Sequence, residues 1–197
     1  MKGILFVLSG PSGTGKGTVC KELLQREDVF LSVSATTREC RAGEIPGETY
    51  HYVSKGEFNR MISEGEMLEY AEYGGNYYGT PKKAVESLLH EGKDVLLEIE
   101  PQGALQVKKL LPEAVLIFLI PPSMKELKNR LISRGREDEA EIAKRISTAG
   151  WELQQAEKYN TQIVNDDLEK CVSDVVDFFN QKRRERKKLD ELINEII

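Results

Sequence analysis

The stretch Ile4-Leu5-Phe6-Val7-Leu8-Ser9-Gly10-Pro11-Ser12-Gly13-Thr14-Gly15-Lys16-Gly17-Thr18 decides how this chain is read. A short apolar run ends in a glycine-rich turn, a lysine follows, and the next residues carry helical spacing. That order, strand, glycine loop, helix, aims backbone N–H groups and a helix N-terminus at a phosphate, and the lysine adds a mobile positive charge. An ordinary βα turn rarely combines three glycines with a lysine directly after the last. One position departs from the usual pattern: Gly17 stands where a Ser or Thr is expected, and Thr18 follows it.

Downstream, apolar runs alternate with helical patterns. Val19, Cys20, Leu23 and Leu24 mark a helix from about Lys16 to Arg26, and Leu31 to Ser34 reads as a short strand. Pro81 is placed to open a helix at its first turn, with Ala84, Val85, Leu88 and Leu89 on its apolar face. Asp94 to Glu100 reads as a strand ending in carboxylates, followed by a helix from Gln102 to Leu111. The unbroken run Ala114 to Ile120 fits a strand covered on both faces. Ser123 is a predicted N-cap with Glu126 as its capping-box partner. A long helix is expected from Asp138 to Tyr159, then a strand at Ile163 to Asn165 and a closing helix from Leu168 to Phe179. This alternation predicts an α/β fold of three layers, with a parallel central sheet and right-handed crossovers.

Residues 34–80 have a different texture, rich in Gly, Glu, Tyr and Arg, with short alternating pieces and a helix near Lys55–Ser63. They predict a small inserted region, mixed α and β and partly antiparallel, suited to grasping a ligand. The core is then residues 1–33 and 81–181. The tail, residues 182–197, reads as a separate helical extension: six basic residues and one acid, then the stripe Leu189, Leu192, Ile193 and Ile196. Two readings of it stay open. A solvated extension whose end packs on its own domain is favoured; the alternative is a homo-oligomer through this helix.

Composition narrows the function. A net charge of −5 argues against a general nucleic-acid binder, so phosphates must be met by a local basic pocket. No run approaches a membrane span, and the scattered Cys20, Cys40 and Cys171, with only His51 and His90, fit a reducing cytoplasm and supply no metal site of their own. Within phosphate-loop proteins, Gly17 weighs against switch GTPases, where the hydroxyl after the lysine holds Mg²⁺. Two groups of arginines favour a kinase, because two phosphate chains must be brought in line and each needs its own cations. Arg38 and Arg41 lie in the insert. Arg130, Arg134, Arg136 and Arg145 surround Gly135, either in a lid over about residues 130–146 or in an exposed helix–turn–helix that carries arginines for solubility. Glu69 and Glu100 are carboxylates near strand ends that could accept N–H donors from a base, although spacing alone favours surface acids.

Further blocks carry a resemblance. Ser32-Val33-Ser34-Ala35-Thr36-Thr37-Arg38, Arg41-Ala42-Gly43-Glu44, Gly75-Asn76-Tyr77-Tyr78-Gly79-Thr80, Gln102-Gly103, Pro121-Pro122-Ser123, Arg134-Gly135 and Val164-Asn165-Asp166-Asp167, together with the phosphate loop, make the chain similar to guanylate kinases up to about residue 181. The resemblance implies a three-layer phosphate-loop kinase fold with a GMP-binding insert and a mobile lid. It implies transfer of the γ-phosphate of ATP to GMP with Mg²⁺, in purine nucleotide metabolism in the cytoplasm. It also implies roles. Gly10, Pro11, Ser12, Gly13, Thr14, Gly15, Lys16, Gly17 and Thr18 would hold ATP phosphates, with Asn165 near the adenine. Arg38, Arg41, Tyr50 and Tyr78 would bind the GMP phosphate, and Ser34, Glu69, Thr80 and Glu100 would contact GMP, with Glu69 and Thr80 reading guanine edges. Lys16, Arg134 and Arg145 would be the catalytic cations. Mg²⁺ would rest on phosphates and water rather than on protein ligands. The chain departs from the resemblance at Gly17, at Glu100 in place of an aspartate, at Pro101, and at Cys40 in place of a proline. Peptide-binding scaffold domains of the same fold lose the phosphate loop, which is intact here. A ribose bisphosphate acceptor is disfavoured by the pairing of Glu69 and Thr80 with both insert arginines.

Overall fold

The computed structural model describes residues 2–133 and 139–196. Five parallel strands form the central sheet, in the order β2 (Phe30–Leu31), β7 (Val95–Glu98), β1 (Leu5–Ser9), β8 (Val115–Ile120) and β9 (Thr161–Val164). The opening apolar run is β1 (Leu5–Ser9), in the middle of that sheet, and α1 (Lys16–Arg26) follows the glycine loop. Alternation along β1 builds two cores. Phe6 and Leu8 pack with Val19 and Leu23 of α1 and with Val172, Val175 and Phe179 of the last helix; Phe6 and Phe179 stack at 3.9 Å. Leu5 and Val7 face the opposite side. There they meet Val85 and Leu89 from one helix, Ala104 and Val107 from the next, and Tyr159. Helices on both faces of an apolar parallel sheet are the three layers the sequence predicts.

β2 is Phe30–Leu31, a short edge strand paired to β7, so the expected strand at Leu31 to Ser34 lies one residue earlier and is shorter. The chain then leaves the sheet and enters a second one, ordered β4-β3-β6-β5. Its strands are β3 (Ala35–Thr36), β4 (His51–Tyr52), β5 (Met67–Tyr73) and β6 (Asn76–Pro81). β3 pairs parallel with β4 and antiparallel with β6, and β5 and β6 form an antiparallel hairpin. Helix α2 (Lys55–Ser63) starts where Ser54 Oγ accepts the Glu57 N–H, and Phe58 fills a small separate core with Ala35 and Met67.

α3 (Lys82–His90) begins one residue after Pro81, which ends β6 and caps the helix rather than sitting in its first turn. β7 (Val95–Glu98) leads to α4 (Pro101–Leu110), where Pro101 takes the first helical position. β8 (Val115–Ile120) is buried on both faces, and α5 (Met124–Ser133) follows. Ser123 Oγ accepts the Glu126 N–H at 3.0 Å, as expected of an N-cap. The Glu126 carboxylate is instead on Arg130, so the box is not reciprocal. The long helix α6 spans Glu139–Gln154 and is shorter than expected: one turn of 3₁₀ helix, Ala156–Lys158, turns the chain into β9 (Thr161–Val164).

The tail is helical, as expected of the extension, and it continues the closing helix without a break: α7 runs from Leu168 to Ile196, well past the Phe179 at which that helix was expected to end. Arg183 explains the continuity. Its guanidinium reaches Asp94 at 2.8 Å and also Glu27, holding the helix to the body where the basic run begins. Among the described residues no helix is long and apolar enough to cross a membrane.

Candidate active site

The glycine loop closes on itself around Lys16. Thr14 Oγ1 donates to the Pro11 carbonyl at 2.8 Å, and Lys16 Nζ donates to the Gly10 carbonyl at 2.7 Å and to that of Pro11 at 3.3 Å. Gly10 is irreplaceable here: at φ +148 an added Cβ would lie 2.4 Å from the Leu119 carbonyl oxygen. Gly13 and Gly15 also take positive φ, while Gly17 and Thr18 are exposed at the start of α1. Asn165 sits after β9 with its amide directed inward: Nδ2 donates to the Thr14 carbonyl at 2.7 Å, so the side chain braces the loop.

A cleft of about 510 Å³ lies between this loop and the second sheet. Ser12, Lys16, Glu98 and Glu100 line its core side, Ser34, Arg38, Arg41, Tyr50, Glu69 and Tyr78 its insert side, and Arg145 with Glu141 reaches it from α6. Residues spread over more than a hundred positions of sequence thus meet in one cavity, as a site built to align two ligands requires. Arg145 Nη1 donates to Ser12 Oγ at 3.0 Å and its guanidinium lies over the Tyr73 ring. Arg134 lies outside the described residues, with Gly135 and Arg136.

On the insert side, Arg38 is held by a residue the sequence reading gave no role. Glu44 accepts both Arg38 Nη groups, at 2.7 and 3.0 Å, the Arg41 N–H at 2.8 Å and the Tyr52 hydroxyl at 2.7 Å. Hydrogen bonding from Arg38 and then from the Arg41 N–H draws its pKa down to about 2. The guanidinium also lies 5.5 Å from the Tyr50 ring centre, and Tyr50 meets Tyr78 edge-on. The fork is therefore fixed before any anion arrives. The Arg-Ala-Gly-Glu string was the only sign of this in the sequence, because Glu44 acts through a turn that brings it back to Arg38.

Glu69, on β5, is almost fully buried, and its Oε1 accepts the Thr80 hydroxyl at 2.7 Å. Thr80 is itself fully buried beneath it, and so orients the carboxylate. Burial pushes the Glu69 pKa up to about 7, partly offset by the bonds from Thr80. Gly103, in the first turns of α4, makes the space: a Cβ there would lie 2.2 Å from Glu69 Oε2. A glycine inside a helical pattern was the available signal. Gly103→Ala is accordingly expected to raise the KM for the acceptor about tenfold by displacing Glu69, with the KM for the donor unchanged within twofold. Equal changes in both, by steady-state kinetics, would refute this.

Two further carboxylates escaped the sequence reading. Glu98 lies in the cleft beside the loop, where a Cβ on Gly17 would be 3.4 Å from its Oε1. Its two-residue spacing from Glu100 was the hint. Glu152 of α6 is buried behind the loop, with its pKa raised to about 7 by burial and then by the charge of Glu100.

A parallel sheet ending in a phosphate loop, facing an arginine- and carboxylate-lined insert across one cleft, defines a phosphate-loop phosphotransferase with separate donor and acceptor sides. A sequence model of the family described as guanylate kinase matches residues 2–182. A guanylate kinase of Clostridioides difficile is 49% identical over 195 residues, 98% of this chain and 95% of the relative; one of Clostridium tetani is 53% identical over 174 residues, 88% and 84%. The crystal structure of guanylate kinase from Anaplasma phagocytophilum superposes with a TM-score of 0.77 at 36% identity, covering 92% of this chain and 86% of that one. The chain belongs to the guanylate kinase family.

Proposed function

We propose that the cleft between the two sheets is where this chain carries out the family's reaction, transfer of the γ-phosphate of ATP to GMP to give ADP and GDP. The observation that carries the reading is the joining, in one cavity, of the Lys16 loop with a buried carboxylate and a pre-oriented arginine fork. On the donor side, the loop Gly10 to Thr18 cradles ATP phosphates with its N–H groups, and Lys16 follows the charge. On the acceptor side, Arg38, Arg41, Tyr50 and Tyr78 hold the GMP phosphate. Glu69, oriented by Thr80, accepts the adjacent N–H donors of guanine, and Ser34 and Glu100 complete the acceptor contacts. Arg145, and Arg134 with it, neutralise the phosphoryl group in flight; no residue need act as a strong base. A region of about residues 34–80 as acceptor domain and about 130–146 as lid is part of the same proposal.

Mg²⁺ would come with the ATP phosphates, because Gly17 offers no hydroxyl to the ion. Phosphates and water would supply most ligands, and Glu98, beside the loop, is placed to accept from those waters. When bound, the ion neutralises charge on the β- and γ-phosphates. Three free cysteines suit a reducing compartment, in keeping with a cytoplasmic enzyme.

The test is ADP release coupled to a second enzyme, with GMP, AMP, UMP or no acceptor. Turnover with GMP well above the others is expected; equal rates with and without GMP would refute the reading. Self-association is proposed through the end of α7, where Leu189, Leu192, Ile193 and Ile196 are all exposed. Deleting residues 186–197 is expected to reduce the sedimentation mass to the monomer value; a monomer in both versions would end the idea.

A further inference from the structure

The donor lysine is tied to the acceptor side by an ion pair. Lys16 Nζ lies 3.3 Å from both carboxylate oxygens of Glu100, as well as on the loop's own Gly10 and Pro11 carbonyls. The Lys16 side chain is only 8% exposed. Glu100 is the residue capping α4, and Pro101 at the next position restricts the backbone from which its side chain projects. α4 is in turn tied to the insert. Gln106 accepts the Tyr70 N–H and donates to the Tyr70 carbonyl, at 3.2 and 2.7 Å, and Gly103 abuts Glu69. Glu100 therefore stands at the joint between the two halves of the cleft, lining it with Glu69 on one side and Lys16 on the other.

We propose that Glu100 is a positioning residue for Lys16 that couples the two substrate sites: it holds the lysine down on the loop while the acceptor side is empty and releases it when an acceptor draws the carboxylate away. The inference rests on the reading of Gly10 to Thr18 as the ATP loop and goes beyond it. The physical argument is competition for one carboxylate. A nucleotide base presenting N–H donors to the cleft offers Glu100 new partners, and each contact made there loosens its hold on Lys16. Freed of its counter-ion, the ammonium group can follow an incoming phosphate. Because coupling is reciprocal, the donor must tighten acceptor binding by the same factor. Glu100 is 37% exposed, so the pair is partly screened by water. That limits the factor to about 3- to 5-fold.

The reach of Glu100 provides the test, since an aspartate keeps the charge and withdraws it by one methylene. Dissociation constants for a non-hydrolysable ATP analogue are measured on the whole chain, without GMP and with GMP at saturation for each variant. In the wild type GMP is expected to tighten the analogue about 3- to 5-fold. Glu100→Asp and Glu100→Gln should both bind it about 3- to 5-fold more tightly without GMP, and GMP should then add little. If Glu100→Asp behaves like the wild type while Glu100→Gln binds more tightly, only the general negative charge matters and the positioning role is wrong. Weaker binding in both variants would equally overturn it. Lys16→Ala separates the two readings: analogue affinity indifferent to Lys16 removes the ATP-loop reading. Dependence on Lys16 with no effect of Glu100 removes this inference alone. Thermal melts of each variant confirm that the chain compared is folded.

Discussion

Lys16→Ala is expected to lower kcat with ATP and GMP on the order of 10³-fold while leaving the chain folded. Phosphoryl transfer depends on alignment and on neutralising charge over the phosphate oxygens, and loss of a single preorganised donor commonly costs 10²–10³ in rate. Lys16 supplies a full charge from inside the loop, so its effect falls at the upper end. Its removal also leaves the Gly10 and Pro11 carbonyls and Glu100 without its bonds. Glu100 faces the cleft and is met there by water, so the melting temperature should fall by only a few degrees. The measurement is coupled ADP release beside a thermal melt. A kcat within tenfold of the wild type would show that the loop does not carry the donor phosphates.

Glu69→Gln is expected to cut the preference for GMP over AMP about 100-fold. An ionised carboxylate accepts both the N1–H and the exocyclic amine of guanine. A glutamine amide keeps one acceptor, already bonded to Thr80 in the native arrangement, and turns a donor toward the base. Guanine is then left with an unpaired donor in a buried site, which costs on the order of 1–3 kcal/mol, whereas adenine can meet the amide's donor. Preference unchanged within threefold, from kcat/KM with each acceptor, would remove Glu69 as the base reader.

The same substitution has a stability signature of defined sign. The Glu69 pKa is raised in the folded chain from 4.5 to about 7, so the folded state binds the proton that the unfolded state has lost between those values. The group's contribution to stability is intact below pH 4.5 and is lost as pH rises through 7. Glu69→Gln, which has no charge to bury, should therefore be more stable than the wild type at pH 8, by about 1–3 kcal/mol, and indistinguishable from it near pH 4.5. In the wild type, GMP binding should weaken as pH falls below 7, because the acceptor carboxylate protonates. A KM for GMP that is flat from pH 6 to 8 would contradict this.

The helix α7 shows one limit of reading the chain in order. The basic run after Gln181 looks like a boundary, yet the helix continues through it, because Arg183 finds Asp94 and Glu27 on elements far away in sequence. Edge strand β2 shows another. Its apolar residues suggest a strand through Ser34, but only Phe30 and Leu31 pair with β7 before the chain departs for the second sheet. The Lys55–Ser63 helix, by contrast, was legible to the residue, since Ser54 caps it and Phe58 anchors it locally.

The amino-acid sequence alone determined the phosphate loop, the layering of helices on a parallel sheet, and, of the side chains that line the cleft, Arg38, Arg41, Arg145, Tyr50, Tyr78, Glu69 and Glu100. These are properties of local spacing: glycines where the backbone must curl, apolar residues at periods of two and 3.6, charges in loops. Only the tertiary structure decided how those side chains are held. Glu44 clamps Arg38 through a turn, Thr80 and Gly103 seat Glu69 from two different elements, Asn165 braces the loop across 151 positions, and Glu100 takes hold of Lys16 across 84. Each is a pairing closed by a turn or by the packing of separate elements, over six to 151 positions of sequence. Its strength depends on distance and burial that no local pattern records.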